Sequence, residues 1–297
     1  MKTIPKLAAV LLLCPLQMAS AATRAEDDMN KALMPHATLG GSGATVLVHH
    51  ARLQGTPGAN AQWKAQAQAL RGQVQQCVAA LSKSGMPVHP PTVWPEYSVS
   101  VREDSYGANN RSITYTHALG YKVDTRDCSL LESKSSHALL VSDAGACNID
   151  LIEKTASGQC DAKAHANAAP LRAMKPTAAQ KAQGDLAMSG GMGPEMAAML
   201  KQLQGTQGGS TGVRKSVAGL SCEVFSGLGE ATVCVATGGS FSLLPSTNMN
   251  ALRYLALEST NQGFSLTAVD AHLDARVSAA VFLPHLAGGF AINKEAP

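Results

Sequence analysis

"ATVLVHHARL", residues 44–53, has the β-branched content and the alternation of a strand. Successive strand side chains point to opposite faces. His50 therefore shares a face with Val46 and Val48, and His49 shares the other with Leu47 and Ala51. One metal ion cannot be held by both histidines of a regular strand, and a half-exposed edge strand is the simplest placement. Downstream, Ala61 to Leu81 sets Trp63, Leu70, Val74, Cys77 or Val78, and Leu81 at helical spacing. This predicts an amphipathic helix that buries Cys77. "MPVHPPTVWPEY" (86–97) has four prolines and must be an extended connection. Strand-like pieces follow at Ser98–Glu103, Arg111–Val123, His137–Ser142 and Asn148–Lys154. The picture is an antiparallel meander with one helix against it.

The N-terminus reads as an export signal. Lys2 and Lys6 precede an apolar run, Leu7 to Leu16, that is too short to span a membrane. Ala19-Ser20-Ala21 offers a cleavage site, which predicts a mature chain from Ala22 in the periplasm or outside the cell. Cys14, in "LLLC", follows Leu13, where a lipoprotein signal has a small residue. No later stretch is apolar enough to cross a bilayer as a helix. Without Cys14, six cysteines remain: Cys77, Cys128, Cys147, Cys160, Cys222 and Cys234. An even number in an exported chain reads as three disulfides, with fifteen connectivities available. None has the C-x-x-C spacing of a redox or zinc site. The formal charge of +3 falls to +1 with the two signal lysines removed. Such a balance gives no electrostatic case for nucleic acid.

Aromatic residues divide the chain. Both tryptophans and four of five tyrosines lie before residue 122, all five phenylalanines lie after 224, and none falls between Tyr121 and Phe225. Since rings supply much of a core's buried area, two packing centres are expected, in regions 22–161 and 215–297. Between them, 162–214 is rich in Ala, Gln, Lys, Gly and Met and reads as a flexible linker. The second region opens with "SVAGLSCEVFSGLGEATVCVATGG", two strands around a glycine-containing turn. Folding about Leu228 sets Cys222 opposite Cys234, Phe225 opposite Ala231 and Glu223 opposite Val233. This predicts the Cys222–Cys234 disulfide. If it forms, another disulfide must tie Cys77 to the meander. "NMNALRYLALES" (248–259) has Met249, Leu252, Leu255 and Ala256 at helical spacing, and "GFSLTAVDAHLDARV" (263–277) resumes a strand pattern before "AAVFLPHLAGGFAI".

Over roughly its last 80 residues, this order of cysteine hairpin, helix, long strand and "VFLP…GF" resembles exported bacterial proteins with a half-barrel like that of LolA, the periplasmic lipoprotein carrier. The resemblance implies a half-barrel sheet and brings no catalytic residues. The two further cysteine pairs of the first half depart from a minimal half-barrel.

Patterns that carry chemistry are sparse. "GGSGAT" (40–45) has alanine where a nucleophile elbow has its last glycine, and there is no H-E-x-x-H or Walker loop. Gly227 and Gly229 lack a third glycine and suit the hairpin. "DAHLDARV" places Asp270, His272, Asp274 and Arg276 on one strand face, with Val269, Leu273 and Val277 facing away. That stripe could hold a cation or polar ligand, or form a solvated outer face. Asp124 and Asp127 are turn residues.

"MSGGMGPEMAAMLKQLQ" (188–204) offers four thioethers, Met188, Met192, Met196 and Met199, a soft set for Cu(I). Three glycines and Pro194 break one continuous helix. A helix from Pro194 to Gln204 is signalled instead, with Met196, Met199, Leu200 and Leu203 on one apolar face.

The expectation is an α+β protein of mainly antiparallel β-sheet with a few helices: a meander, then a C-terminal half-barrel-like sheet, stapled by disulfides. Its expected role is non-enzymatic, the binding of a hydrophobic ligand, lipid or envelope protein. A copper-binding protein and a secreted hydrolase are the alternatives. No cofactor and no nucleic-acid partner is implied.

Overall fold

The computed structural model describes residues 44–55, 61–95, 97–170, 210–226, 231–240, 254–261 and 264–293. The N-terminal residues 1–43, with Cys14, and the methionine-rich stretch 188–204 lie outside the described residues.

Twelve strands form one sheet: β1 (Thr45–Gly55), β2 (Val99–Gly107), β3 (Arg111–Val123), β4 (Leu130–Ser142), β5 (Gly145–Asp150), β6 (Thr155–Gly158), β7 (Ser210–Val217), β8 (Leu220–Ser226), β9 (Thr232–Ala236), β10 (Ala256–Asn261), β11 (Phe264–Ser278) and β12 (Ala291–Asn293). Among the described residues there are two α-helices, α1 (Ala61–Lys83) and α2 (Ala162–Ala166). The spatial order is β12-β6-β5-β4-β3-β2-β1-β11-β10-β9-β8-β7. Every neighbouring pair is antiparallel except β12 with β6. None of the helices among the described residues is long and apolar enough to cross a membrane.

β1 is not an edge strand. It pairs with β2 on one side and with β11 on the other. Strands from both the 22–161 and the 215–297 regions therefore belong to the same sheet. β7 starts at Ser210 and α2 lies at 162–166, so both ends of the stretch read as linker are structured. The true edges are short or charged. β12 has three residues, and β7 carries exposed Arg214 and Lys215, which discourage edge-to-edge pairing.

Register assigns the faces. His50, Tyr106, Ile113, Leu140 and Cys147 stand opposite one another across β1 to β5. On this first face Val48, Tyr106, Ile113, Tyr115, Ala138, Leu140, Ile149 and Ala156 form a core with Val281 and Phe282. Those last two come from the 3-10 turn Ala279–Phe282 that follows β11, and the Tyr115 hydroxyl donates to the Val281 carbonyl. On the second face Ala51 and Leu53 join Leu266, Ala268 and Ala271 of β11. Leu257, Leu255, Ala236, Cys234, Cys222 and Val217 complete this second core. The C-terminal strands curl, bringing β7 and β11 within 8 Å (Cα–Cα) although three strands separate them.

α1 has the expected amphipathic pattern, with Ala67, Leu70 and Val74 buried and Cys77 half-buried. It contacts β3 and β11, and Arg71 lies over the Trp94 ring at 5.4 Å. The three disulfides are Cys77–Cys128, Cys147–Cys160 and Cys222–Cys234. The first ties α1 to the β3–β4 turn. The third is the predicted hairpin bond, but the register differs by two residues. Phe225 faces Val233, Glu223 faces Val235, and Cys222 faces Ala236, so the two cysteines are diagonal neighbours with Cα atoms 5.5 Å apart. A diagonal pair is still within disulfide reach, which is why the bond survives the shift. The helical spacing in 248–259 is misleading over its last part. Ala256–Asn261 is strand β10 between β9 and β11, where Leu257 turns inward, and Leu255 just before the strand is buried as well. Asn248 to Arg253 lie outside the described residues.

Candidate functional site

β1 presents opposite chemistry to the two faces. Ala51 and Leu53 enter the second core, while His50 and Arg52 enter a polar row on the first face. Arg52 stands opposite Asp104 of β2, Asp104 opposite Tyr115 of β3, and Arg102 opposite His117. Asp104 is fully buried and receives Arg52 Nε at 2.7 Å on Oδ1, with Arg102 Nη2 at 2.7 Å on Oδ2. Arg102 is 1% exposed. Burial pushes the Asp104 carboxyl up, but His50, Arg52 and Arg102 outweigh it and hold the group below the usual carboxylate range. A buried carboxylate between two guanidiniums stays ionised.

His50 extends the row toward the surface. Its ring stacks on Tyr106 at 4.5 Å, its Nε2 lies 3.8 Å from Asp104 Oδ1, and its Nδ1 lies 3.9 Å from Asp270 Oδ2. Asp270 in turn holds His272 Nε2 at 3.0 Å, and both side chains are open to solvent at 43% and 61%. Tyr106 lies beneath, its phenol pushed up to about 12 by burial and by the Asp104 charge. His117 shares a hydrogen bond with Ser136 at 2.8 Å. The result is a file of acid, histidine, acid and histidine running from the core to the surface. Among the described residues no three His, Cys, Asp or Glu side chains converge as a metal ion requires.

The stripe read in "DAHLDARV" is broken. Asp270 and His272 share the first face with His50, but Asp274 (φ 56°) sits where the β1–β11 register shifts between Val48 and His50. Beyond that bulge the parity reverses. Val277, expected to face away, packs against the first core. Asp274 turns to the second face, where its backbone N–H donates to His49 Nδ1 at 3.1 Å and its Oδ1 accepts from the Ser240 N–H. His49 is buried there under Gly239, which has φ +82°, and any Cβ at that glycine would collide with the imidazole. Burial lowers the His49 pKa, with Asp274 opposing it. The two histidines thus take opposite faces as the alternation requires, both buried in a central strand. Asp124 and Asp127 are turn residues, accepting from the Arg126 and Ser129 N–H groups.

Arg52, Arg102, Asp104, Tyr106 and His117 escaped sequence reasoning. Their signal was present in "VREDSYG", where Arg102, Asp104 and Tyr106 alternate on one parity. Polar residues at period two suggest a solvated face, and only the neighbouring strands reveal it as the buried one. Met188, Met192, Met196, Met199, Leu200 and Leu203 lie outside the described residues.

The second face offers a different kind of site. Among the described residues, four of its eleven buried members are alanines (Ala51, Ala236, Ala268 and Ala271), the rest are Leu, Val and the Cys222–Cys234 disulfide, and no aromatic ring is among them. Glu103, opposite Leu53, brings one carboxyl to this side, and burial raises its pKa. No known protein family, curated protein or solved structure matches this chain.

Proposed function

We propose that this is an exported, non-enzymatic binding protein that holds an apolar ligand, the acyl chains of a lipid or of a lipidated envelope partner, against the second face. The observation that carries this reading is the alanine- and leucine-lined interior of the curled β7–β11 strands. Small side chains around a curled sheet leave room that bulky ones would fill, and apolar binding sites are lined in this way. The half-barrel form belongs to the same proposal. The side chains of Met196, Met199, Leu200 and Leu203, apolar and at helical spacing in the sequence, belong to this proposal as a further contact for the ligand. The Arg52–Asp104–Arg102 row acts from the opposite side of β1 as a rigid support.

Native mass spectrometry of protein recovered from the periplasm tests this. A lipid-sized adduct that persists in the wild type and is lost in Ala268→Phe, with the protein still folded, is the expected result. Bare polypeptide in both would end the binding reading, and a copper adduct abolished by Met188, Met192, Met196 and Met199 to Leu would replace it.

A further inference from the structure

At the far end of the first face lies a cationic group that the apolar-ligand reading does not use. Arg111 opens β3 and is only 7% exposed. Its guanidinium carbon lies over the Phe282 ring, 4.7 Å from the centroid, and neither Nε nor Nη1 has a hydrogen-bond partner. No carboxylate pairs with it among the described residues. A buried guanidinium normally has a counter-charge, because an isolated ion out of water costs several kcal/mol.

The surroundings are histidines, not acids. Ser142 stands directly opposite Arg111 across β3–β4, and its hydroxyl shares a hydrogen bond with His165 Nδ1 at 2.7 Å. His165, fully buried on α2, uses its Nε2 on the Gln159 carbonyl. His285, in the turn after Phe282, donates Nε2–H to the Cys160 carbonyl at 3.1 Å. His285 is 3% exposed, and its Nδ1 is buried with no partner. His165 lies close enough to disfavour charge on His285, after burial, which lowers its pKa most. Asn110 closes the corner by donating to the Ala166 and Ala168 carbonyls. Arg111 is thus linked through Ser142 to His165 and through Phe282 to the turn that carries His285, beside the Cys147–Cys160 disulfide, and of these groups only its guanidinium is a cation.

We infer that this corner is a binding site for one small oxyanion, phosphate or a free carboxylate, with Arg111 as its counter-charge and the Phe282 ring holding the guanidinium in place. Burial alone lowers the Arg111 pKa, which a bound anion would reverse. The test is calorimetric titration of the full chain, first freed of anions in a zwitterionic buffer, with phosphate, sulfate and acetate in separate arms. The arms distinguish tetrahedral from planar oxyanions. Saturable binding to the wild type is expected, weakened at least about tenfold in Arg111→Met. In the anion-free buffer Arg111→Met should unfold at the same denaturant concentration as the wild type or a higher one, since it removes an unpaired buried charge. Should Arg111→Met fail to fold, Arg111→Lys takes its place, because an ammonium keeps the charge and loses the planar donors. Absence of binding by any anion, or equal binding by wild type and variant, would overturn the site. Neither outcome bears on the apolar ligand at the opposite face.

Discussion

The core of β2–β6 and the core of β7–β11 share strand β1 and yet are built from different materials. Among the described residues, the first buries three aromatic rings, Tyr106, Tyr115 and Phe282, with Phe290 packed against them, beside a row of buried ions. The second holds alanine, leucine, valine and one disulfide. Rings and ion pairs have strict shapes and partners and specify one arrangement. Small aliphatic side chains tolerate rearrangement far better. The difference teaches where rigidity and where adaptability reside: the first face is a frame, and the second can accommodate.

The largest way to break that contrast is to remove the centre of the ionic row. Asp104→Ala strands Arg52 and the 1%-exposed Arg102 without their carboxylate, and should cost about 3–5 kcal/mol in urea unfolding. Replacing all three ions together, Asp104→Leu with Arg52→Met and Arg102→Met, should recover most of that loss. Failure to recover it would mean that the row specifies the fold beyond its own charges.

Disulfides rank next. The Cys77–Cys128 bond closes a 51-residue separation and should contribute roughly 4 kcal/mol by chain entropy, against roughly 3 kcal/mol for Cys222–Cys234 with its separation of 12. Paired serine variants, compared by thermal melting, check the order. An equal or reversed order would show that the second core depends on its bond more than loop length implies.

Acid should act mainly on the first face. The folded Asp104 pKa lies below its unfolded value near 3.9, so its contribution is full above that value and is lost as pH falls below it. Denaturant midpoints between pH 6 and 2 should drop steeply below about pH 4 in the wild type and less steeply in Asp104→Asn.

The smallest effect belongs to His49 on the second face. Its folded pKa is lowered by burial, so protons favour the unfolded chain and stability declines as pH falls through the unfolded value near 6.5. His49→Gln should flatten the slope between about pH 7 and 5 by a fraction of a kcal/mol. An unchanged slope would assign that region to His285, whose pKa burial also lowers.

Local pattern was a good guide wherever one strand or helix decides its own form. Helix α1, the meander strands, the 222–234 disulfide and the opposed faces of His49 and His50 follow from periodicity and chemistry within short stretches. What periodicity cannot supply is the identity of a partner far along the chain. The pairing of β1 with β11 turned an expected edge into the centre, and made the Arg102, Asp104 and Tyr106 parity a buried one. Bulges are equally silent: nothing in "DAHLDARV" announces that Asp274 would reverse the stripe. Leu255, just before β10, and Leu257 within it sit in a segment whose spacing fits a helix as well as a strand, and only its neighbours decide.

The partnership of β1 with β11 also sets a timetable. Thr45 meets Ser278, so the first described strand to be synthesised waits for nearly the last before its second edge is covered. The meander β2–β6 needs only near neighbours and can assemble early, carrying β1 as a temporary open edge. Contacts this distant in sequence close slowly, and an unpaired edge is where chains stick to one another in the meantime. Folding yield should therefore depend on protein concentration during the interval before β11 arrives, even though, among the described strands, the finished sheet has β7 and β12 at its margins.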